Sequence, residues 1–199
     1  SQHCSRFIAF DNAYHGDTLG AANLGGIGTF QKRIAGHQFP VTHIRDLAPL
    51  GDILKKGDVA AVIIEPLIQG AAGLRVWPKG LLRDLRKLCD EADVFLILDE
   101  VMTGFGRTGT LFACEQEDVL PDFLCLAKGL TGGYLPLAAT LTTERVFRAF
   151  GGPFEDQKTF YYGHSYSGNP LGCSAALASL DVFREEKVLK NLQPKITHL

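Results

Sequence analysis

Three charged side chains follow apolar runs of the sequence, at the points where buried strands are expected to end. Glu65 follows the run 59–64, Asp99 follows the run 94–98, and Lys128 follows the run 123–127. Continuous apolar runs of this length are typical of parallel strands that are buried on both faces. Because open α/β sheets bind their ligands beyond the carboxyl ends of the strands, the sequence predicts one polar site formed by these side chains.

Lys128 is the candidate nucleophile of this site. It precedes Gly129 and the pair Gly132-Gly133, where the backbone can approach a ligand closely. A desolvated lysine amine can attack an aldehyde to form an imine and can later act as the base that moves a proton. The alternative is an ordinary solvated surface lysine, which is the commoner environment of this residue type.

The carboxylates of Asp99 and Glu65 need partners, because a charge at the end of an apolar strand is costly to bury alone. A protonated pyridinium nitrogen would suit Asp99, since an aspartate partner makes such a ring an electron sink. A structural ion pair with Arg107, or a Mg²⁺ ion held by Asp99 and Glu100, is the alternative. For Glu65, which precedes Pro66 and a Gly/Ala loop, an orienting or gating role is as well supported as a catalytic one.

The segment 14–18 brings an aromatic ring, an imidazole and a carboxylate into one turn. Tyr14 is a candidate stacking platform for a planar ligand, and Gly16 permits a close backbone approach. His15 can titrate near neutral pH, although a histidine beside a glycine can also be a purely structural group. Asp17 completes the cluster.

Two further segments have the residue types of an anion site. The stretch 103–109 is rich in glycine like a phosphate cradle, but it lacks the Lys-Ser/Thr ending of a P-loop. The stretch 163–170 leads into a predicted helix and offers hydroxyls and backbone N–H groups, so it could hold a phosphate or simply cap the helix.

The surrounding pattern predicts a βαβ unit. Pro78 is expected to begin a helix that runs to about Ala92 with one leucine stripe, between the strands 59–64 and 94–98. A short strand at 7–10, a strand at 123–127 and a fourth at 137–142 are also predicted. Helical patterns cover about 143–150 and 169–185, so the fold class is α/β with a mostly parallel sheet flanked by helices.

Composition narrows the class of partner. The chain has 199 residues, 46% of them hydrophobic, and a formal net charge of −2, which argues against nucleic-acid or membrane partners and favours small molecules. Its five cysteines form no CxxC pair, so reduced thiols are expected and no zinc or other metal site. No apolar run reaches the roughly 20 residues of a membrane span, and a cytoplasmic location is expected.

Taken together, the motifs resemble those of the class III pyridoxal-phosphate-dependent aminotransferases. The resemblance rests on their order and spacing, and it covers nearly the whole chain. The matching stretches are Tyr14-His15-Gly16, Ile64-Glu65-Pro66, Leu98-Asp99-Glu100-Val101, the segment 103–109 and Ala127-Lys128-Gly129. Within the class, the segments 10–18, 130–133 and 137–143 most resemble the branch that aminates 8-amino-7-oxononanoate in biotin synthesis.

The resemblance implies a role for each candidate residue. Lys128 would form the Schiff base with pyridoxal 5'-phosphate, and Asp99 would pair with the pyridinium nitrogen. Tyr14 and His15 would lie at the cofactor ring, and Ser165 would reach the cofactor phosphate of a neighbouring subunit. Asp17 and Arg107 would lie near the amino donor or the keto acid, with Glu65 close to them.

The resemblance also implies a fold and an assembly. The expected fold is that of the fold type I transferases, whose large domain has a mixed seven-stranded sheet, and two subunits would share each active site in a homodimer. Residues 1–184 would form the central part of the large cofactor-binding domain, and residues 185–199 the start of the connection to a C-terminal small domain.

The implied reaction transfers an amino group, from S-adenosylmethionine or lysine, onto 8-amino-7-oxononanoate to give 7,8-diaminononanoate. Members of the class are usually more than twice as long as this chain, with an N-terminal phosphate-binding turn and a C-terminal substrate arginine. The alternatives are another class III aminotransferase with an omega-amino acid or diamine donor, and a non-catalytic remnant of the fold.

Overall fold

The computed structural model describes residues 4–198 and is built on a six-stranded sheet. The strands are β1 (Arg6–Phe10), β2 (Val41–Ile44), β3 (Val59–Ile64), β6 (Phe95–Asp99), β7 (Phe123–Leu126) and β8 (Ala139–Thr142). Their order across the sheet is β2-β1-β3-β6-β7-β8. All neighbours are parallel except β8, which pairs antiparallel with β7. The predicted α/β class with a mostly parallel sheet is confirmed.

A short hairpin and seven α-helices complete the described chain. The hairpin consists of β4 (Ile68–Gln69) and β5 (Arg75–Val76). The helices are α1 (Leu19–Leu24), α2 (Gly28–Arg33), α3 (Leu50–Leu54), α4 (Leu81–Glu91), α5 (Glu144–Ala149), α6 (Pro170–Glu185) and α7 (Val188–His198). Among the residues described, no helix is long and apolar enough to cross a membrane.

The core lies between the sheet and α4. Val62, Leu96 and Leu98 of the central strands are fully buried, and Leu82 and Leu85 of α4 pack into the same cluster. Central parallel strands are buried on both faces, which explains why their sequences are continuous apolar runs. This core holds β3, β6 and β7 side by side. Glu65, Asp99 and Lys128 therefore lie together at the carboxyl ends of these strands.

The predicted start of α4 at Pro78 is wrong by three residues. Gly80 has a φ of +89°, which lies in the left-handed region and is incompatible with a helical turn, so the helix begins at Leu81. The first turn is capped from outside, because the buried carboxylate of Glu117 accepts hydrogen bonds from the amides of Gly80 (2.7 Å) and Arg83 (3.1 Å).

The elements that the sequence analysis did not predict include β2, the β4–β5 hairpin and the short helices α1 to α3. The hairpin follows Leu67, a non-glycine residue with a φ of +63°. It is tied to the core by Trp77, whose ring N–H donates to the carbonyl of Glu65 at 3.0 Å. The chain thereby turns back across the end of β3 and closes one side of the predicted site.

Candidate active site

The ends of β3, β6 and β7 open into one cavity of about 550 Å³. This volume lies in the range of small-molecule and cofactor sites. The residues that line it are Tyr14, His15, Gly16, Glu65, Gly70, Ala71, Leu74, Asp99, Val101, Met102 and Lys128. Five of the eight predicted site residues therefore meet in a single space, although they come from four separate parts of the chain.

Asp99 forms the buried base of this cavity. Its Oδ2 lies 2.7 Å from Nδ1 of His15, and its Oδ1 accepts a hydrogen bond from the amide of Val101 at 3.1 Å. The two side chains of the pair are only 2% and 8% exposed. Of the alternatives for Asp99, an ion pair with Arg107 is not formed, because the partner is His15 and Arg107 is exposed.

The second nitrogen of His15 is left unsatisfied. Its Nε2 is buried and has no hydrogen-bond partner among the described residues. Because a buried unpaired polar atom is costly, this nitrogen is available to a group that enters from outside the described chain. His15 therefore has a geometric role beside Asp99 that the sequence alone left undecided.

Glu65 lines the same cavity and is also buried. Its Oε2 accepts from the amide of Gly70 at 2.9 Å, whereas Oε1 is buried without a partner among residues 4–198. Burial raises the pKa of Glu65, and the Gly70 hydrogen bond opposes this shift. A side chain at Gly70 would crowd the cavity, since a Cβ there would lie 3.1 Å from Cε of Met102.

Tyr14 closes the cavity from the β1 side. Its ring lies 6.1 Å from that of Phe30, and a hydrogen bond from its hydroxyl to Asp17 raises the pKa of Tyr14. Asp17 itself does not line the main cavity. It lines a smaller adjoining cavity of about 150 Å³ that shares Tyr14 and Gly16 with the first.

Lys128 follows β7 and lies where two cavities meet, since it lines both the main cavity and a second one formed by residues of the segment 127–138. The residue is exposed rather than desolvated. Desolvation, one way of favouring a free amine, is therefore not provided by residues 4–198 alone.

Two predicted residues lie away from the main cavity. Arg107 is exposed on the loop that follows β6 and lines none of the cavities described here. Ser165 is exposed in the loop before α6, in which Asn169 caps the helix by accepting from the amide of Gly172 at 2.8 Å. The capping interpretation of the segment 163–170 is thus correct for Asn169.

The alternative of a Mg²⁺ site at Asp99 and Glu100 does not fit the structure. Glu100 is fully buried, and its carboxylate already accepts from the hydroxyl of Thr103 and the amides of Ala113 and Cys114. Within residues 4–198, no group of three or more His, Cys, Asp or Glu side chains is arranged to hold a metal ion.

Several lining residues escaped the sequence analysis. Gly70, Ala71 and Leu74 lie in the loop after β4, and Val101 and Met102 follow Asp99. The Gly/Ala composition of 70–73 was the only available signal for the first group. No sequence pattern indicated the His15–Asp99 pair, because the two residues are 84 positions apart in sequence.

Comparison with known proteins places these observations in a family. The family model described as aminotransferase class-III matches residues 1–199. The chain is 51% identical over 216 residues to the adenosylmethionine-8-amino-7-oxononanoate aminotransferase of Nitratidesulfovibrio vulgaris, covering 98% of this chain and 40% of that protein. It is 52% identical to the protein of the same name from Aquifex aeolicus, covering 96% of this chain and 47% of that protein.

Solved structures agree with this result. The adenosylmethionine-8-amino-7-oxononanoate aminotransferase of Methanocaldococcus jannaschii superimposes with a TM-score of 0.93 at 44% identity, covering 98% of this chain and 47% of that one. An ornithine aminotransferase from Toxoplasma gondii, whose active site is partly occupied by PLP, superimposes with a TM-score of 0.84 at 31% identity, covering 94% of this chain and 42% of that one. The chain thus spans about half the length of these relatives.

Proposed function

The chain belongs to the class III aminotransferases, and we propose that it carries the cofactor-binding centre of a transaminase that uses pyridoxal 5'-phosphate. The observation that carries the proposal is the convergence of Lys128, Asp99, His15 and Tyr14 on one cavity. A lysine, a buried carboxylate and an aromatic ring are the groups that such a cofactor needs for covalent attachment, charge pairing and stacking.

The residues present fit this cofactor. The cavity of about 550 Å³ can hold a substituted pyridine ring. Asp99 offers a buried carboxylate held by the His15 imidazole, and Nε2 of His15 and Oε1 of Glu65 are buried without hydrogen-bond partners among residues 4–198. When bound, the cofactor supplies an aldehyde that condenses with amines and a ring that withdraws electrons from the substrate carbon.

Each of the side chains that line the cavity would then have a separate role. Asp99, held by His15 and by the Val101 amide, would keep a proton on the ring nitrogen through its negative charge. Tyr14 would pack against the ring. Lys128 would provide the amine that binds the cofactor and that moves a proton to or from the substrate carbon.

For the substrate, we propose 8-amino-7-oxononanoate as the acceptor, converted to 7,8-diaminononanoate in biotin biosynthesis, with S-adenosylmethionine or lysine as the donor. The relatives at 51% and 52% identity are adenosylmethionine-8-amino-7-oxononanoate aminotransferases, which supports this choice over the reaction of the ornithine aminotransferase at 31% identity. Two side chains of the cavities would contact the substrates: Asp17 in the adjoining cavity and Glu65 in the main cavity. Arg107 would also contact them once further residues or a partner surround it.

We also propose that the active protein is a homodimer located in the cytoplasm. A run of aromatic side chains before α6 supports an interface, because large exposed apolar surfaces usually mark interaction sites. These side chains are 62–78% exposed: Phe154, Phe160, Tyr161, Tyr162 and Tyr166. Ser165 belongs to the same surface, from which it would reach the cofactor phosphate of the other subunit.

The domain assignment is likewise a proposal. Residues 1–184 would form the central part of a larger cofactor-binding domain, and residues 185–199 the start of the connection to a small domain. The short turn between α6 and α7 supports a boundary near residue 185. The competing interpretation, a remnant that keeps the fold without turnover, predicts that the purified protein transaminates no substrate.

The test is transamination of 8-amino-7-oxononanoate by the purified protein, with S-adenosylmethionine and lysine as separate donors. Formation of 7,8-diaminononanoate with one donor, abolished in Lys128→Ala, supports the proposal. Activity with an omega-amino acid or diamine but not with 8-amino-7-oxononanoate would support the other class III reactions instead.

A further inference from the structure

The backbone of Lys128 has an unusual conformation. Its φ is +44°, in the left-handed region that non-glycine residues rarely adopt. Lys128 also begins a 3₁₀ turn, Lys128–Thr131, directly after the end of β7. Such conformations persist only where the surrounding structure determines them. The residues that hold the backbone here therefore decide where the lysine side chain lies.

The contact that holds this turn is between Gly129 and Phe105. A Cβ atom at Gly129 would lie 2.7 Å from Cβ and 2.9 Å from Cδ2 of Phe105, so the aromatic residue presses directly on the glycine backbone. On the side of α6, the hydroxyl of Ser179 donates to the carbonyl of Gly129 at 3.4 Å. The residue after Lys128 is thus held between Phe105 and α6.

Phe105 is itself rigidly supported. Its φ is +58°, and its amide donates to the carbonyl of Leu111 at 2.6 Å across the loop. Its ring packs edge-on against the rings of Phe112 and Phe183, with centroids 5.8 Å and 6.2 Å away. Aromatic packing of this kind fixes a side chain in one place.

Glu100 anchors the loop that carries Phe105. Its fully buried carboxylate accepts from Thr103 Oγ1 at 2.9 Å near the start of the loop, and from the amides of Ala113 (2.7 Å) and Cys114 (2.9 Å) at its end. Charge-assisted hydrogen bonds to backbone amides are among the strong ones. One buried side chain thus holds both ends of the loop between Thr103 and Ala113, which contains the glycine-rich segment 103–109.

We propose that Phe105 is a positioning residue for Lys128: its contact with Gly129 holds the lysine in the left-handed conformation that places the side chain at the cavity of Asp99. This inference rests on the proposed function, in which Lys128 binds the cofactor. It assigns the segment 103–109, which resembles a phosphate cradle in sequence, a mechanical role in support of the lysine.

The experiment compares covalent with non-covalent cofactor binding in Phe105→Ala, in Gly129→Ala and in the double variant Phe105→Gly/Gly129→Ala. In covalent binding, the Lys128 amine condenses with the aldehyde of pyridoxal 5'-phosphate and releases water; borohydride then reduces the C=N bond to a stable amine. Mass spectrometry of the labelled peptide gives the rate of capture. Pyridoxamine 5'-phosphate, which has no aldehyde, reports non-covalent affinity by fluorescence titration.

Phe105→Ala is expected to slow capture at Lys128 by at least about ten-fold, since small misplacements of reacting groups are costly, with pyridoxamine 5'-phosphate affinity within about two-fold of wild type. Gly129→Ala alone should slow capture further. In Phe105→Gly/Gly129→Ala, loss of both the ring and Cβ of residue 105, the atom 2.7 Å away, makes space for the new Cβ, so capture should be faster than in Gly129→Ala. Phe147→Ala, which removes an exposed ring on α5 away from this contact, is the matched control and should capture like wild type.

The inference is overturned if Phe105→Ala captures as fast as wild type, or if it weakens pyridoxamine 5'-phosphate binding as much as capture, which would indicate a general structural role. It is also overturned if Phe105→Gly/Gly129→Ala captures no faster than Gly129→Ala. If Phe105→Ala does not fold, the comparison of Gly129→Ala with Phe105→Gly/Gly129→Ala tests the same contact. Failure of wild type to label at Lys128 would instead refute the proposed function.

Discussion

Nδ1 of His15 lies 2.7 Å from Oδ2 of Asp99, and both side chains are almost completely shielded from solvent. The pair joins the turn after β1 to the end of β6. It thereby fixes the position of a buried negative charge at the base of the cavity that Lys128 also lines.

Asp99→Asn keeps the shape of the side chain but removes its negative charge. If Asp99 stabilises a protonated ring nitrogen, transamination should fall by roughly 10²-fold or more, as when a preorganised electrostatic group is removed. Borohydride capture of the cofactor at Lys128 should persist. Steady-state rates and capture are measured together with the exposed control Asp84→Asn; a rate for Asp99→Asn within about three-fold of that control would contradict the role.

His15→Ala leaves the Asp99 carboxylate buried without its side-chain partner. Loss of a hydrogen bond to a buried group should lower the free energy of unfolding by about 1–3 kcal/mol. Urea denaturation of the protein without cofactor measures this, and His37→Ala, at an exposed histidine, should be close to neutral. Equal stability of the two variants would mean that the pair contributes nothing to the fold.

Glu65 should make stability depend on pH. Burial raises its pKa above the ordinary value of 4.5, so the folded state holds the proton more tightly than the unfolded state. The free energy of unfolding should therefore fall as pH rises from the unfolded pKa through the folded pKa. Glu65→Gln removes this loss: relative to wild type, its stability should increase across that interval and then remain constant.

The measurement for Glu65 is urea denaturation of wild type and Glu65→Gln between about pH 4 and about pH 8. The exposed Glu155→Gln is the control and should run parallel to wild type. If the free energy of unfolding of Glu65→Gln falls relative to that of wild type as pH rises, the effect has the opposite sign to the one expected from burial.

The thiols of Cys89 and Cys114 should be inert in the folded protein. Burial raises the pKa of each to about 12, so almost no reactive thiolate is present at neutral pH. Alkylation with iodoacetamide followed by peptide mapping should leave both unlabelled in buffer and label both in concentrated urea. Rapid labelling in buffer would show that this part of the core opens readily.

The positions of the charged site residues could be predicted because each ends a continuous apolar strand. Parallel strands bring such ends to one edge of a sheet, so Glu65, Asp99 and Lys128 converge without any knowledge of side-chain contacts. The strand β2 could not be found in the same way. Its sequence, Val41–Ile44, includes a threonine and a histidine and is only partly buried at the edge of the sheet.

Sequence patterns did not predict contacts between residues that are far apart in the chain. Asp99 needs a buried partner on energetic grounds, and Arg107 was as reasonable a candidate as any, yet the fold brings His15 to it instead. Likewise, the glycines of the segment 103–109 suggest a phosphate site, whereas Gly104 packs against the carbonyl of Glu100, 2.8 Å from where its Cβ would lie. Tertiary packing, which sequence patterns do not encode locally, decides both cases.

Covalent attachment of the cofactor to Lys128 can be measured by peptide mapping after borohydride reduction with pyridoxal 5'-phosphate. One dominant reduced adduct is expected, on the Lys128 peptide, together with a violet absorption band that disappears on reduction. Lys79→Ala, at an exposed lysine, should keep both, and Lys128→Ala should lose both. An unchanged band and adduct in Lys128→Ala would contradict attachment at Lys128.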